Sequence, residues 1–172
     1  MSDLRNPVVH DDLLNYQLKR LVSAGGAPAV RLYEGRYGVS RFEWRLIAAL
    51  VEDGPMSPSD LATRTHFEPG RVSRALGAIA AKRLVQRSVH PDNRRRVTFA
   101  ATTAGERLYA QLFPQLAQIN RRLMAALDDH EARILSECLR KLTERADEIM
   151  SAGGGVDARA DRRLGGTRRF WD

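Results

Sequence analysis

Two short alternating runs, Val85-Gln86-Arg87-Ser88-Val89 and Arg96-Val97-Thr98-Phe99-Ala100, flank the segment His90-Pro91-Asp92-Asn93-Arg94-Arg95-Arg96. Alternation is a strand pattern, and Pro, Asp and Asn are turn residues, so an antiparallel hairpin is predicted with three consecutive arginines at its tip. Such a tip cannot be buried without partners; it has to meet solvent or an anionic surface. The stretch before it reads as a helix opened by Pro69. At helical pitch Val72, Leu76, Ile79 and Ala80 fall within about a 100° arc, which marks the packing face. Arg71, Arg74, Ala78 and Lys82 fall on the opposite side. A helix with a cationic outer face, followed at once by a basic finger, suits double-stranded DNA: the helix for one groove and the finger for the groove beside it.

The rest of the chain is mainly helical in pattern. A first helix is expected from Asp11-Asp12, with Leu13, Leu14, Leu18, Leu21 and Val22 as its stripe. Gly25-Gly26-Ala27-Pro28 predicts a kink or break, followed by a second piece through Val30, Leu32 and Tyr33 that ends at Gly35 and Gly38. Ser40 and Glu43 have capping-box spacing, and Trp44, Ile47, Leu50 and Val51 mark the buried side of the helix they open. Asp53-Gly54-Pro55 stops it. Ser57-Pro58 opens the next helix, whose Leu61 and Ala62 face inward, with His66-Phe67 in the following turn. Beyond the hairpin, Thr103 and Glu106 predict another capping box. Leu108, Leu112, Leu116, Ile119, Leu123 and Leu127 follow at steps of three and four, with a kink expected at Pro114. Asp128-Asp129 breaks and recaps the chain before a last stripe of Leu135, Leu139, Leu142, Ala146 and Ile149. Residues 151–172, rich in Gly and Arg, read as a flexible basic tail. The expected class is mainly α with a small β-wing, an α+β arrangement. Its expected segments are 1–39, 40–103, 104–150 and the tail.

The charge is localised. Residues 40–100 hold 11 basic and 6 acidic side chains, most of the excess in a chain of net charge +7. Clustered cations on one segment point to a polyanion rather than to general solubility. The single cysteine, Cys138, excludes an intramolecular disulfide and a zinc site built on several cysteines. The four histidines, His10, His66, His90 and His130, show no metal-ligand spacing, and no metal or cofactor is implied. No membrane span or signal-peptide core is visible, so a soluble cytoplasmic protein is expected. No nucleophile–base set, P-loop or dinucleotide fingerprint stands out, and an enzyme is not expected.

The ordered pieces resemble the MarR family of transcription regulators over roughly residues 11–150. The resemblance is carried by Val72-Ser73-Arg74 on the third of the central helices, by Asp92-Asn93-Arg94-Arg95 in the hairpin and by Thr102-Thr103-Ala104-Gly105 after it. Glu43-Trp44-Arg45 also matches a frequent variant. Two positions depart from the pattern: Arg83 stands where glycine is usual, so it either adopts positive φ or the turn differs, and Ala101 stands where leucine is frequent. The resemblance implies a winged helix–turn–helix flanked by dimerising helices, and a homodimer. It further implies a repressor that leaves DNA when a small molecule, often a phenolic or aromatic acid, binds.

Site residues follow from the pattern. Arg71, Ser73 and Arg74 are candidates for the major groove, since arginine grips guanine O6 and N7 through paired hydrogen bonds. Ser57 and Ser59 can bind a phosphate at a helix start, or simply cap it. Arg94 is the candidate for a narrow minor groove, Arg95 and Arg96 for phosphates, with Asp92 steering the wing through Arg87 or Arg94. Arg20, Tyr33, Tyr37, Trp44 and Arg45 are candidates to line an effector pocket, as aromatic walls with a cation suit an aromatic carboxylate. Cys138 is expected to be a buried bystander. A thiol-redox or effector-independent regulator of the same fold, and a nonspecific DNA binder, are the alternatives.

Overall fold

The computed structural model describes residues 3–90 and 93–153, with the backbone alone at 90 and 93–96. The element order after a 3-10 turn at His10–Asp12 is α1 (Leu14–Val30), a π-helical segment (Arg31–Arg36), α2 (Arg41–Glu52), α3 (Pro58–Thr65), α4 (Pro69–Ala81), β1 (Val85–His90), β2 (Asn93–Ala101), α5 (Thr103–Met124) and α6 (Asp129–Ser151). The chain falls into two compact units, Met1–Leu123 and Met124–Asp172.

Local chemistry sets most of the boundaries in the first unit. At α2 the Ser40 hydroxyl accepts from the Glu43 N–H while the Glu43 carboxylate accepts from the Ser40 N–H, the reciprocal cap expected of that spacing. Pro58 and Pro69 occupy the first turns of α3 and α4, where a missing N–H costs nothing. His66 turns the chain between them in the left-handed region, with φ 54°. The core gathers Leu46, Ile47 and Leu50 of α2, Leu61 of α3, Val72, Leu76 and Ile79 of α4, Val85 and Phe99 of the hairpin, and Leu108 and Leu112 of α5. These three α4 residues are fully buried, so the packing face is the one the periodicity marks.

Three details differ from expectation. The helix does not break at Gly25–Pro28: α1 runs through Pro28 to Val30 and then widens into the π segment, where the Tyr37 N–H reaches back five residues to the Leu32 carbonyl. A π segment adds slack to the hydrogen-bond ladder without ending it, which lets the proline be absorbed. The cap of α5 sits one residue earlier than predicted. The Thr102 hydroxyl, not that of Thr103, accepts from the Gly105 N–H and itself donates to the Arg83 carbonyl. Cys138 is exposed rather than buried. Its stripe on α6 buries no residue, and Ile134, Leu135, Leu139, Leu142 and Ile149 are between 37% and 47% exposed. Elsewhere α5 is helical through Pro114, and Asp128 caps α6 reciprocally with Glu131.

The hairpin pairs Val85 with Ala101 through Val89 with Val97, with a register shift between Val89 and His90. Its second strand, β2, also bridges the α2–α3 linker, since Met56 and Phe99 exchange backbone hydrogen bonds of 3.0 and 2.8 Å. The base closes where the Thr102 N–H donates to the Leu84 carbonyl. Arg83 takes φ 60°, the left-handed turn normally left to glycine. Gly105 meets the same carbonyl so closely that a Cβ there would overlap Leu84 O.

Gly105→Ala is therefore expected to destabilise the protein by about 1–3 kcal/mol through forced backbone displacement. Gly77→Ala is the control, because a Cβ there meets nothing within 4 Å. It should stabilise by roughly 0.5–1 kcal/mol through helix propensity. Chemical denaturation of the two variants measures both, and similar values for the pair would contradict the packing at Gly105.

Candidate nucleic-acid interface

With Val72, Leu76 and Ile79 turned inward, helical geometry leaves Arg71, Ser73, Arg74 and Ala78 exposed on α4. Small residues at Gly77 and Ala78 keep this face low around the arginines. Ser57, Ser59 and Ser73 meet at one open concavity of about 550 Å³, with Pro58, Asp60, Pro69 and Val97 completing its wall. The starts of α3 and α4 thus converge, placing two helix N-termini and three hydroxyls beside one another. The Ser57 hydroxyl is already engaged: it accepts from the Asp60 N–H at 3.2 Å and donates to the Asp60 carboxylate at 2.7 Å. Capping is thus its role within the chain.

Arg71 does not stand free on its helix. Its guanidinium carbon lies 4.1 Å from the centre of the Phe42 ring and 5.7 Å from that of Phe67. Lys82 departs from the outward row altogether. Its ammonium lies 2.8 and 2.9 Å from the two Glu43 carboxylate oxygens and donates to the Gly38 carbonyl at 2.9 Å. As the last residue reached by α4, it swings round the helix end toward α2 instead of continuing the outer row. Burial alone would raise the Glu43 carboxyl, but the hydrogen bonds from Lys82 and from the Ser40 N–H outweigh it and hold the group below its ordinary range.

The side chains of Arg94, Arg95 and Arg96 lie outside the described residues, as do Pro91, Asp92 and the tail from 154 onward. The backbone of 93–96 belongs to β2, so the three arginines ride on a strand that pairs back to the base of the hairpin.

The five effector candidates are not brought to one cavity. Trp44 is core, stacked with Tyr33 at 6.1 Å and Tyr109 at 5.5 Å between ring centres. Arg45 lies over Phe67 and donates to the Thr65 carbonyl. Arg20 sits 3.9 Å from Asp11, and the Tyr37 hydroxyl accepts from Gln115. Tyr33 alone of the five lines the apolar cavity of about 380 Å³ between α1 and α5. The cation there is Arg41, with Asn120 as the other polar group and Leu21, Leu116, Ile119 and Leu123 among the walls. Burial pushes the Tyr33 hydroxyl up, while Arg41 and Arg45 pull it down. Arg41 escaped the sequence reading because nothing in a helix's first position says which neighbour it leans on. Gly26 held the signal: a Cβ there would lie 2.6 Å from Arg41 Nη2, so the glycine makes room for the guanidinium.

Lys82→Met would leave the Glu43 carboxylate mostly buried without its cation, and a loss of about 1–3 kcal/mol is expected at neutral pH. Because the folded-state value of Glu43 is depressed, its stabilising contribution is present above the ordinary carboxylate value of 4.5 and is lost as pH falls through the lower folded value. The gap between wild type and Lys82→Met should therefore close in acid. Denaturation series at neutral and acid pH measure it, and a gap independent of pH would show that the ion pair is not its source.

Comparison with known proteins places this geometry. Residues 37–96, from the end of the π segment to the wing, match the model of the MarR family. The transcriptional repressor NicR of Pseudomonas putida is 29% identical over 98 residues, which span 57% of this chain and 62% of that repressor. A MarR/EmrR family regulator from Acinetobacter sp. ADP1 superposes with a TM-score of 0.74 at 20% identity, over 82% of this chain and 99% of that one. BpsR of Bordetella bronchiseptica, whose DNA binding is regulated by 6-hydroxynicotinic acid, superposes with a TM-score of 0.71 at 21% identity, over 80% and 98% of the two chains. The fold is the winged helix–turn–helix with flanking helices, and within it residues 37–96 are similar to the MarR family.

Proposed function

We propose that this protein is a sequence-specific DNA-binding transcription regulator, a homodimeric repressor released from its operator by a small aromatic acid. The observation that carries the reading is the outer face of α4, where Arg71, Ser73 and Arg74 are exposed beside the hydroxyls of Ser57 and Ser59. Arg74 reads a guanine edge in the major groove, Ser57, Ser59 and Ser73 meet the backbone, and Arg94, Arg95 and Arg96 extend the contact from the wing. NicR, a transcriptional repressor by name, supports the regulatory role.

Pairing is supported by the apolar face of α6 and, at the start of the chain, by Leu21 and Val22 of α1 with Leu13 just before it, the last three each at least 44% exposed. A single chain leaves these faces uncovered, and a two-fold partner buries them. Two α4 helices related by such an axis select a pseudo-palindrome with half-sites about one helical turn apart. The effector site is the apolar cavity of Tyr33, Arg41 and Asn120, where Arg41 takes the carboxylate and Tyr33 the ring. Regulation of BpsR by a hydroxylated heteroaromatic acid supports that ligand class.

Selection from a random pool of duplexes, followed by footprinting, tests the reading. A two-fold site is expected, and Arg74→Ala should relax preference at one base pair per half-site by about 1–3 kcal/mol. Sequence-independent coating would overturn it. A panel of hydroxybenzoates and hydroxynicotinates should raise the melting temperature of the wild type by linkage, and Arg41→Ala should abolish the rise. An equal rise in the variant would remove Arg41 from the site.

A further inference from the structure

Four side chains from three elements form one continuous stack against the first turn of α4. Arg45 lies 4.4 Å over the ring of Phe67, Phe67 and Phe42 are 4.4 Å apart between centres at 52°, and Arg71 lies 4.1 Å over Phe42. Phe42 comes from the first turn of α2 and Phe67 from the α3–α4 turn, and neither is fully buried. The two cations are held differently. Arg45 also donates to the Thr65 carbonyl, which closes the end of α3. Arg71 has its backbone fixed instead, because the Glu68 carboxylate accepts from the N–H groups of Gly70 and Arg71, each at 2.8 Å. Among the described residues, the Arg71 guanidinium makes no hydrogen bond or ion pair, only ring contacts.

A guanidinium stacked by its face keeps its N–H donors in plane and available. It has also surrendered rotamer freedom before any ligand arrives, so less is lost on binding. The stack draws Arg71 back over α2, toward the flank of the helix pair, and away from the outward row that Arg74 continues. Extending to a groove floor would require that side chain to leave the rings.

We propose that Phe42 and Phe67 are positioning residues for DNA binding, which preset Arg71 as a phosphate grip at the groove edge and leave base reading to Arg74. The proposal rests on the DNA-binding reading above. It changes what is asked of Arg71: a uniform contribution to affinity, not a sequence preference.

The test is a double-mutant cycle between Phe42 and Arg71. Affinity is measured across a salt series on a duplex selected from a random pool and on an unrelated duplex of equal length. Phe42→Leu, which removes the ring but keeps apolar bulk, should weaken both by the same factor of about two to ten, and Phe42→Tyr should bind as wild type does. Arg71→Ala should weaken both and lower the salt slope by about one. On that background Phe42→Leu should have no further effect. Arg71→Lys keeps the charge without the planar stack, so it should lose affinity at an unchanged slope, and it serves if Phe42→Leu does not fold. A Phe42→Leu effect that persists without Arg71, an Arg71→Lys protein that binds as wild type does, or a loss confined to the selected duplex would overturn the proposal while the DNA-binding reading stands. A wild type without affinity for any duplex would overturn both.

Discussion

Three buried side chains aim the arginines of this protein. Val72, Leu76 and Ile79 lie fully inside the core with Leu46, Ile47 and Leu61, and their spacing sets the rotation of α4 about its own axis. Turning that helix by one residue, about 100°, would carry Arg71 or Ser73 into the space of an aliphatic side chain. Burying an unpaired guanidinium costs far more than any outer contact returns. The phase of α4 is therefore decided by what cannot enter the core, and the exposed cations follow from that exclusion.

Around this core, ion pairs and ring contacts sort the basic residues into engaged and available groups. Arg64 lies 2.6 Å from Asp53, Lys82 is held by Glu43 and Gly38, and Arg45 is held by Phe67 and Thr65. Net charge alone does not make this distinction. Of the cations on α4, Arg74 is exposed, Arg71 is exposed but stacked, and Lys82 is part of the frame. The Lys82–Glu43–Ser40 set also joins the end of α4 to the start of α2, the same turn that carries Arg41 toward the cavity.

The hairpin is tied to the helical frame at its base. Met56–Phe99, Thr102–Leu84 and the close approach of Gly105 to Leu84 fix the base. Arg83 completes that turn with φ 60°, a conformation that disfavours any residue with a Cβ. The position keeps an arginine where glycine would be easier, and the Thr102 hydroxyl holds its carbonyl from the other side.

Much of this architecture was legible in the chain. The capping box at Ser40–Glu43, the break and recap at Asp128-Asp129, the prolines opening α3 and α4, and the i, i+4, i+7 pattern at Val72, Leu76 and Ile79 act between residues close in sequence. Short-range chemistry of that kind leaves a direct mark on spacing. The tertiary structure decided what depends on meeting a distant segment. It turned Lys82 onto Glu43, laid Arg71 on Phe42, bridged Met56 to Phe99 and put Arg41 rather than Arg20 or Arg45 against the cavity with Tyr33. A long flexible cation has several partners within reach of its backbone position. Only the packed arrangement of helices determines which carboxylate, ring or carbonyl is near enough to take it.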